Sequence, residues 1–231
     1  MTAIQTSDDS LFNDSHLEIE GNAAILKSFL QFGEENIKRE IERLENVMPD
    51  SVSFNMDTKK GESEVKTFID NFIQYTYNRA QYDFHFKQRL RQSIIIQLYS
   101  FMELYLTKQC EMYSVGLEEG VRFKDIKGNN ELEKFKDFYK NSIKLNIVEL
   151  DQKRWGFIKN LKVLRNKITH SQGKFSDEDT HGKLRSLENK KTYSLIKENA
   201  SESYRIELEK DYIIVCIDEV SKFLKDLTVK R

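Results

Sequence analysis

Proline is almost missing from this chain: one residue, Pro49, in 231, alongside nine glycines. Average usage gives roughly 12 and 16 for this length. With so few helix breakers the chain reads as mostly α. Collagen, propellers and Gly-rich nucleotide folds are set aside. Cysteine is scarce as well. Cys110 and Cys216 fall inside apolar helical patterns and read as reduced core thiols of a cytoplasmic protein, not as a disulfide framework. No apolar run approaches the ~18–20 residues a membrane helix needs, so no membrane partner is expected. The opening MTAIQTSDDSLFND lacks the basic and apolar regions of a signal peptide. Excess charge is lacking too: 37 basic residues face 38 acidic ones, a net of −1. Only local clustering can therefore point to a charged partner. What is abundant is aromatic mass, 15 Phe and 10 Tyr, enough to exclude full disorder.

Periodicity organises the chain into helices. Residues 1–14 are polar and expected to be flexible, with one helical domain over 15–231. A first long helix is expected from Ser15 to Met48, striped by Ile37, Ile41, Leu44 and Met48 and stopped by Pro49-Asp50. Residues 49–61 read as a loop. The region from Ser63 to Ser114 is the hydrophobic centre. Its Leu90, Ile94, Leu98, Met102 and Tyr105 follow helical spacing, and Ile95, Ile96, Tyr99, Phe101, Leu106 and Cys110 widen the face, the pattern of a core helix with several neighbours. Glu103 lies in the middle of that run. Gly116 and Gly120 break the pattern, and a turn at Gly128-Asn129-Asn130 precedes a short helix. A further helix runs over Asp151 to His170 and closes near Gly173. A helical piece is expected near 180–197. The segment from Tyr204 to Glu209 alternates as a short strand or extended link, and a last helix covers Asp211 to Leu227.

The helix over 154–174, RWGFIKNLKVLRNKITHSQGK, carries the most informative pattern. On a helical wheel Phe157, Leu161, Leu164 and Ile168 cluster as the core face. Measured from Asn166, Lys159 falls at about +20°, Lys162 at about −40°, His170 at about +40° and Trp155 near −20°. These form one stripe opposite the core face. Arg165 flanks it at about −100°, and its long side chain can swing toward His170. Residues 151–174 hold Lys153, Arg154, Lys159, Lys162, Arg165, Lys167 and Lys174 against Asp151 alone. A local excess of +6 in a chain of net −1 suits phosphate. Cations also suit a helix C-terminus, which accounts for part of the cluster.

The run Arg165-Asn166-Lys167-Ile168-Thr169-His170 resembles the Arg-Asn-x-x-x-His signature of HEPN domains, all-α domains of many prokaryotic defence and toxin ribonucleases. The helix FHFKQRLRQSIIIQLYSFMELYLTKQC, residues 84–110, resembles the long core helix of that family, with Glu103 as its carboxylate. The resemblance implies an all-α, HEPN-like helical bundle with two long core helices, a motif-bearing helix and a C-terminal helix. It implies a metal-independent endoribonuclease of a defence or toxin system, with RNA as substrate, no cofactor and no metal. It also implies a homodimer that juxtaposes two motifs, and an antitoxin or defence-system protein as a further partner. Some toxins of the family carry a Tyr two residues after the His, modified by a partner nucleotidyltransferase. Here that position is Gln172, so control by that modification is not expected.

The residue types suit the chemistry. RNA carries its own nucleophile, the ribose 2′-OH. Histidine titrates near neutral pH and serves as acid or base, so His170 is the expected proton-transfer group. The Arg165 fork suits the charge that develops on the phosphoryl oxygens. Asn166, one turn before His170, is placed to orient the imidazole or hold a phosphate oxygen. Lys159, Lys162 and Lys167 are the expected RNA-backbone contacts, and Glu103 a supporting group. Structural alternatives stand beside each assignment. His170 also fits a helix C-cap, Arg165 a structural pair with Glu103 or another buried carboxylate, Glu103 a satisfied core charge, the lysines a solvated face, and Trp155 packing. No zinc-spaced His/Cys set, Gly-rich phosphate loop or G-x-S-x-G occurs. The competing functions are a non-catalytic HEPN-like subunit that binds RNA or a nucleotide, and a helical protein that docks a partner chain.

Overall fold

The computed structural model describes residues 3–47, 59–115, 122–128, 130–171, 173–176, 193–197 and 203–228. Gly116, Gly120 and most of the expected loop at 49–61 lie outside these residues. The fold is all-α in its main body. Its long helices are α1 (Ala3–Val47), α2 (Lys59–Ala80) and α3 (Lys87–Val115). A π-helical stretch, Gln81–Phe86, leads from α2 into α3. Then follow α4 (Glu131–Phe138), the short α5 (Ile147–Leu150), α6 (Gln152–Ser171) and α7 (Lys210–Leu227). Helix α1 begins at Ala3, ahead of the start expected at Ser15.

A small antiparallel sheet accompanies the helices: β1 (Lys174–Ser176), β2 (Tyr193–Lys197) and β3 (Ser203–Leu208), in the order β1-β3-β2. The alternation read around Tyr204 is thus a strand. The helical piece expected near 180–197 is corrected at its end, where Tyr193–Lys197 is β2, paired from Tyr193↔Leu208 to Lys197↔Tyr204. The run YSLIK is rich in strand formers, and a ready antiparallel neighbour outweighs its weak helical periodicity. Residues 177–192 lie outside the described set.

The chain divides into two compact units, residues 1–27 with 92–231, and residues 28–91. In the larger unit the buried side chains of α3 share one broad face. Ile94, Ile95, Leu98, Met102, Leu106 and Cys110 are all buried and span an arc of about 160° around the helix. Phe135 and Phe138 of α4, Leu161 and Leu164 of α6, and Ile213 and Ile217 of α7 complete the core. Each such side chain contributes about 1.5–3 kcal/mol by leaving water. One polar group is carried into this core with its valences filled. Gln109 donates from Nε2 to Tyr105 Oη at 3.1 Å and to Thr228 Oγ1 at 3.0 Å, and its Oε1 accepts from Tyr139 Oη at 2.8 Å. A satisfied amide of this kind fixes the register of α3 without the cost of an orphaned polar atom.

In the smaller unit α1 and α3 approach closely where α1 has Gly33. A Cβ there would meet Leu90 Cδ2 at 2.5 Å. Next to it Arg91 Nε donates to Glu34 Oε1 at 2.6 Å, with both side chains nearly buried.

Candidate functional site

Helix α6 starts at Asp151, whose carboxylate accepts from Arg154 N–H at 2.8 Å, an N-cap that satisfies one of the free amides of the first turn. Its far end is tied to the sheet. Gly173 N–H donates to the Lys167 carbonyl at 3.1 Å, and Ile206 N–H donates to the Gly173 carbonyl at 2.9 Å. Gly173 has φ +77°, a left-handed conformation that glycine adopts without strain. The sequence pattern that names Gly173 as the helix stop therefore also fixes where the motif ends in space. β3 holds it, and Ile206 is fully buried.

The last two turns of α6 carry the expected site. His170 is exposed and makes no hydrogen bond or ion pair among the described residues. Arg165 is half-buried and turned to the inner side of the helix. Its Cζ lies 5.5 Å from the centroid of the Tyr99 ring, and its Nη1 donates to Asn166 Oδ1 at 2.9 Å. Among the described residues no hydrogen bond joins Arg165 to His170, so the expected swing of Arg165 toward the imidazole is not the arrangement adopted. The wheel gives the reason. At about −100° Arg165 is closer to Leu161 and Leu164 than to His170, and its guanidinium finds an aromatic face there. Asn166 spends its carbonyl on Arg165, which leaves its NH2 donors for another group.

One buried polar atom in this cluster, Arg165 Nε, lacks a hydrogen-bond partner, while Tyr99 Oη faces the Glu103 carboxyl. Glu103 stands one turn from Tyr99 on α3. Its carboxyl is held above the usual range by burial, against the pull of Arg165 and Lys162, with Glu131 adding to the rise. Burial likewise pushes the Tyr99 hydroxyl up, helped by the Glu103 charge and opposed by Arg165. Glu103 and Arg165 are thus coupled through space, without an ion pair among the described residues. Tyr99 was legible in the sequence as a core residue only; its spacing of four from Glu103 is the one signal that puts it beside the site.

The basic stripe is narrower than its charge count. Arg154 pairs with Asp151 on its own helix and with Glu219 and Asp226 on α7, so it is neutralised within the fold. Lys159 is exposed, while Lys162 and Lys167 are half-buried. None of the three makes an ion pair among the described residues, which leaves them open to an anion. Trp155 leaves the stripe altogether. It is buried, its ring 6.1 Å from that of Phe223 on α7, because α7 crosses the first turns of α6 on the side the wheel assigns to solvent. Phe157, expected in the core, is half-buried instead, and Ile158 is fully buried.

Phe157 lines a cavity of about 550 Å³ with Asp151, Arg154, Asn160, Tyr212 and Glu219. That cavity opens beside the first half of α6, away from the turns that hold Arg165 and His170. Among the described residues no three His, Cys, Asp or Glu side chains come together as metal ligands, and no helix is long and apolar enough to cross a membrane. Comparison of the chain with protein-family models, with curated proteins and with solved structures finds no match.

Proposed function

We propose that this chain is a metal-independent endoribonuclease of the HEPN type, working in the cytoplasm as part of a defence or toxin system. The observation that carries the reading is the end of α6. An exposed His170 follows, by one turn, an Asn166 with free amide donors and an Arg165 with an unspent Nε. Lys159, Lys162 and Lys167 stand nearby without ion pairs among the described residues. An RNA strand laid along these lysines brings a phosphate to the end of the helix. His170 then takes the 2′-OH proton or protonates the leaving 5′-oxygen. Arg165 answers the growing phosphoryl charge. Glu103 supports Arg165 electrostatically and takes no part in proton transfer. A second copy of the chain supplies the complementary acid or base, and an antitoxin or other defence protein restrains the pair.

The test is incubation of the purified protein with RNA in EDTA, beside a substrate with 2′-deoxyribose at the cut. Cleavage of RNA alone, leaving a cyclic phosphate, is the expected result. Replacing His170 with Ala should lower the rate at least about 100-fold, the usual scale of a lost acid–base group, with RNA binding retained. Equal cutting of DNA, or loss of activity to EDTA, defeats the proposal. A second reading is favoured by one observation, the absence of a hydrogen bond between Arg165 and His170. A non-catalytic subunit that only holds RNA or a nucleotide has no need of one. It predicts binding without cleavage, reduced by replacing Lys159 and Lys162.

A further inference from the structure

Residues 28–91 form a compact unit with almost no interior. Among its described residues Leu30 is the one buried large apolar side chain, and Gln88 and Arg91 are the buried polar ones. Eight large apolar side chains of the same unit are exposed. Four of them belong to α2: Ile69 (49%), Phe72 (50%), Ile73 (60%) and Tyr77 (60%). No described side chain of α2 is buried. Ile69, Ile73 and Tyr77 follow one another at intervals of four and span about 80° of the helix, with Phe72 at their edge. The side of α2 that meets α1 is a different one. Arg79 pairs there with Glu45 of α1 at 3.1 Å, roughly 120° round from Ile73. An amphipathic helix whose apolar stripe faces away from its own fold lacks the burial that stabilises such helices.

The geometry points to α2 as the face through which two copies of this chain associate, antiparallel, about a two-fold axis at Ile73. Charge favours this occupant over a nucleic acid or an anionic membrane. Residues 28–91 carry ten Lys and Arg against eleven Asp and Glu, so two copies neither repel each other nor attract a polyanion. The charges bordering the stripe, Lys66 and Asp70, are of opposite sign. The stripe is also self-complementary, since an antiparallel pair centred on Ile73 sets Ile69 of one copy against Tyr77 of the other, as an isologous contact requires. The area is of the right order. Four half-exposed side chains present on the order of 400 Å² per copy. Two copies with their polar rim approach the ~1,000 Å² of a specific interface. The inference is independent of the reading of α6, because a chain that cleaves no RNA can still pair through α2.

Sedimentation of the full-length chain from about 1 to 100 μM covers the affinities such an interface supports. Wild type should shift to twice the mass of the chain within that range. The double variant Ile69→Glu, Ile73→Glu should stay at the mass of one chain with an unchanged helical circular dichroism signal. Ile73→Cys gives a second readout that needs no destabilising change. Cys110 and Cys216 are buried, with thiols that burial holds far from ionisation. The new thiol is therefore the reactive one, and mild oxidation should link two copies through it. A wild type that stays a single chain throughout the range overturns the inference, including one that uses this face only for a different protein. So does a dimer that survives the double variant, or an Ile73→Cys chain that does not cross-link.

Discussion

The last turns of α6 and the exposed stripe of α2 are both amphipathic helix surfaces, yet the fold treats them oppositely. Helix α6 sits on a complete core: Ile158, Leu161 and Leu164 are fully buried beneath it, and its end is fastened to β3 through Gly173. Its polar side thereby rests on a packed helix. No described side chain of helix α2 is fully buried, and Ile69, Ile73 and Tyr77 are turned outward. The difference teaches where rigidity is spent. A surface meant for chemistry needs supported side chains, whereas a surface meant for association can leave its burial to a partner.

The contrast is sharpest in stability. Leu164→Ala should destabilise the chain by about 2–5 kcal/mol, the cost of a cavity in a packed core, read from the urea midpoint. A loss under about 1 kcal/mol would mean that α6 is not anchored as described. The next effect is at the fastening. Gly173→Ala places a Cβ on a residue with φ +77°, 3.1 Å from Gln92 Nε2. The left-handed backbone alone costs about 1–2 kcal/mol. If Gly173 is what holds the motif, the same variant should also lower RNA cleavage while leaving the mass of the assembly unchanged.

How far these two surfaces were legible in the sequence follows from what each depends on. The helix bounds of α6 and α7, the stop at Gly173 and the strand at Tyr204 rest on local spacing and backbone preference, and they stand within a residue or two. Phe157 is misplaced, and Trp155 packs, as its alternative reading has it, on the side expected to face solvent, because a wheel places solvent opposite the densest apolar arc. It cannot know that α7 crosses the other side of the first turns. Arg154 counts toward the local charge excess in the sequence, but Glu219 and Asp226, far away in the chain, neutralise it. Arg165 is the subtler case. Its position on the wheel was read correctly, but the Tyr99 ring that captures it lies on another helix. The exposed stripe of α2 corrects the sequence reading, which includes it in the hydrophobic centre over Ser63–Ser114, since a period of four reads the same whether the residues face a core or face water.

A weaker effect tests the electrostatics of the α6 cluster. The Glu103 carboxyl is raised above its ordinary 4.5, mainly by burial. Above 4.5 and up to the raised value, the folded state binds more protons than the unfolded chain. Stability therefore falls as pH rises through that window, and the loss is complete above it. Glu103→Gln keeps the shape and removes the charge. Its melting temperature should vary less with pH above about 4.5 than that of wild type, and it should not fall below wild type at neutral pH. A clear drop there would show that Arg165 relies on the carboxylate, which places the pair's attraction above the cost of burying it.

The smallest effect, and the one that separates the two surfaces most cleanly, is Ile73→Ala on α2. Ile73 is 60% exposed, so in a single chain its truncation removes little burial and leaves no cavity. In dilute solution the change in stability should stay within about 0.5 kcal/mol, against the several expected at Leu164. Association changes this with concentration. A partner that binds only the folded chain adds stability that grows with its own concentration, so the melting temperature of wild type should climb as the protein is concentrated. The Ile73→Ala chain should climb less, because the centre of its stripe is cut back. A core position behaves otherwise: Leu164→Ala should lower the melting temperature by a similar amount at every concentration. If Ile73→Ala is as costly in dilute solution as Leu164→Ala, the stripe belongs to an interior after all, and the distinction between a supported surface and an unpartnered one fails.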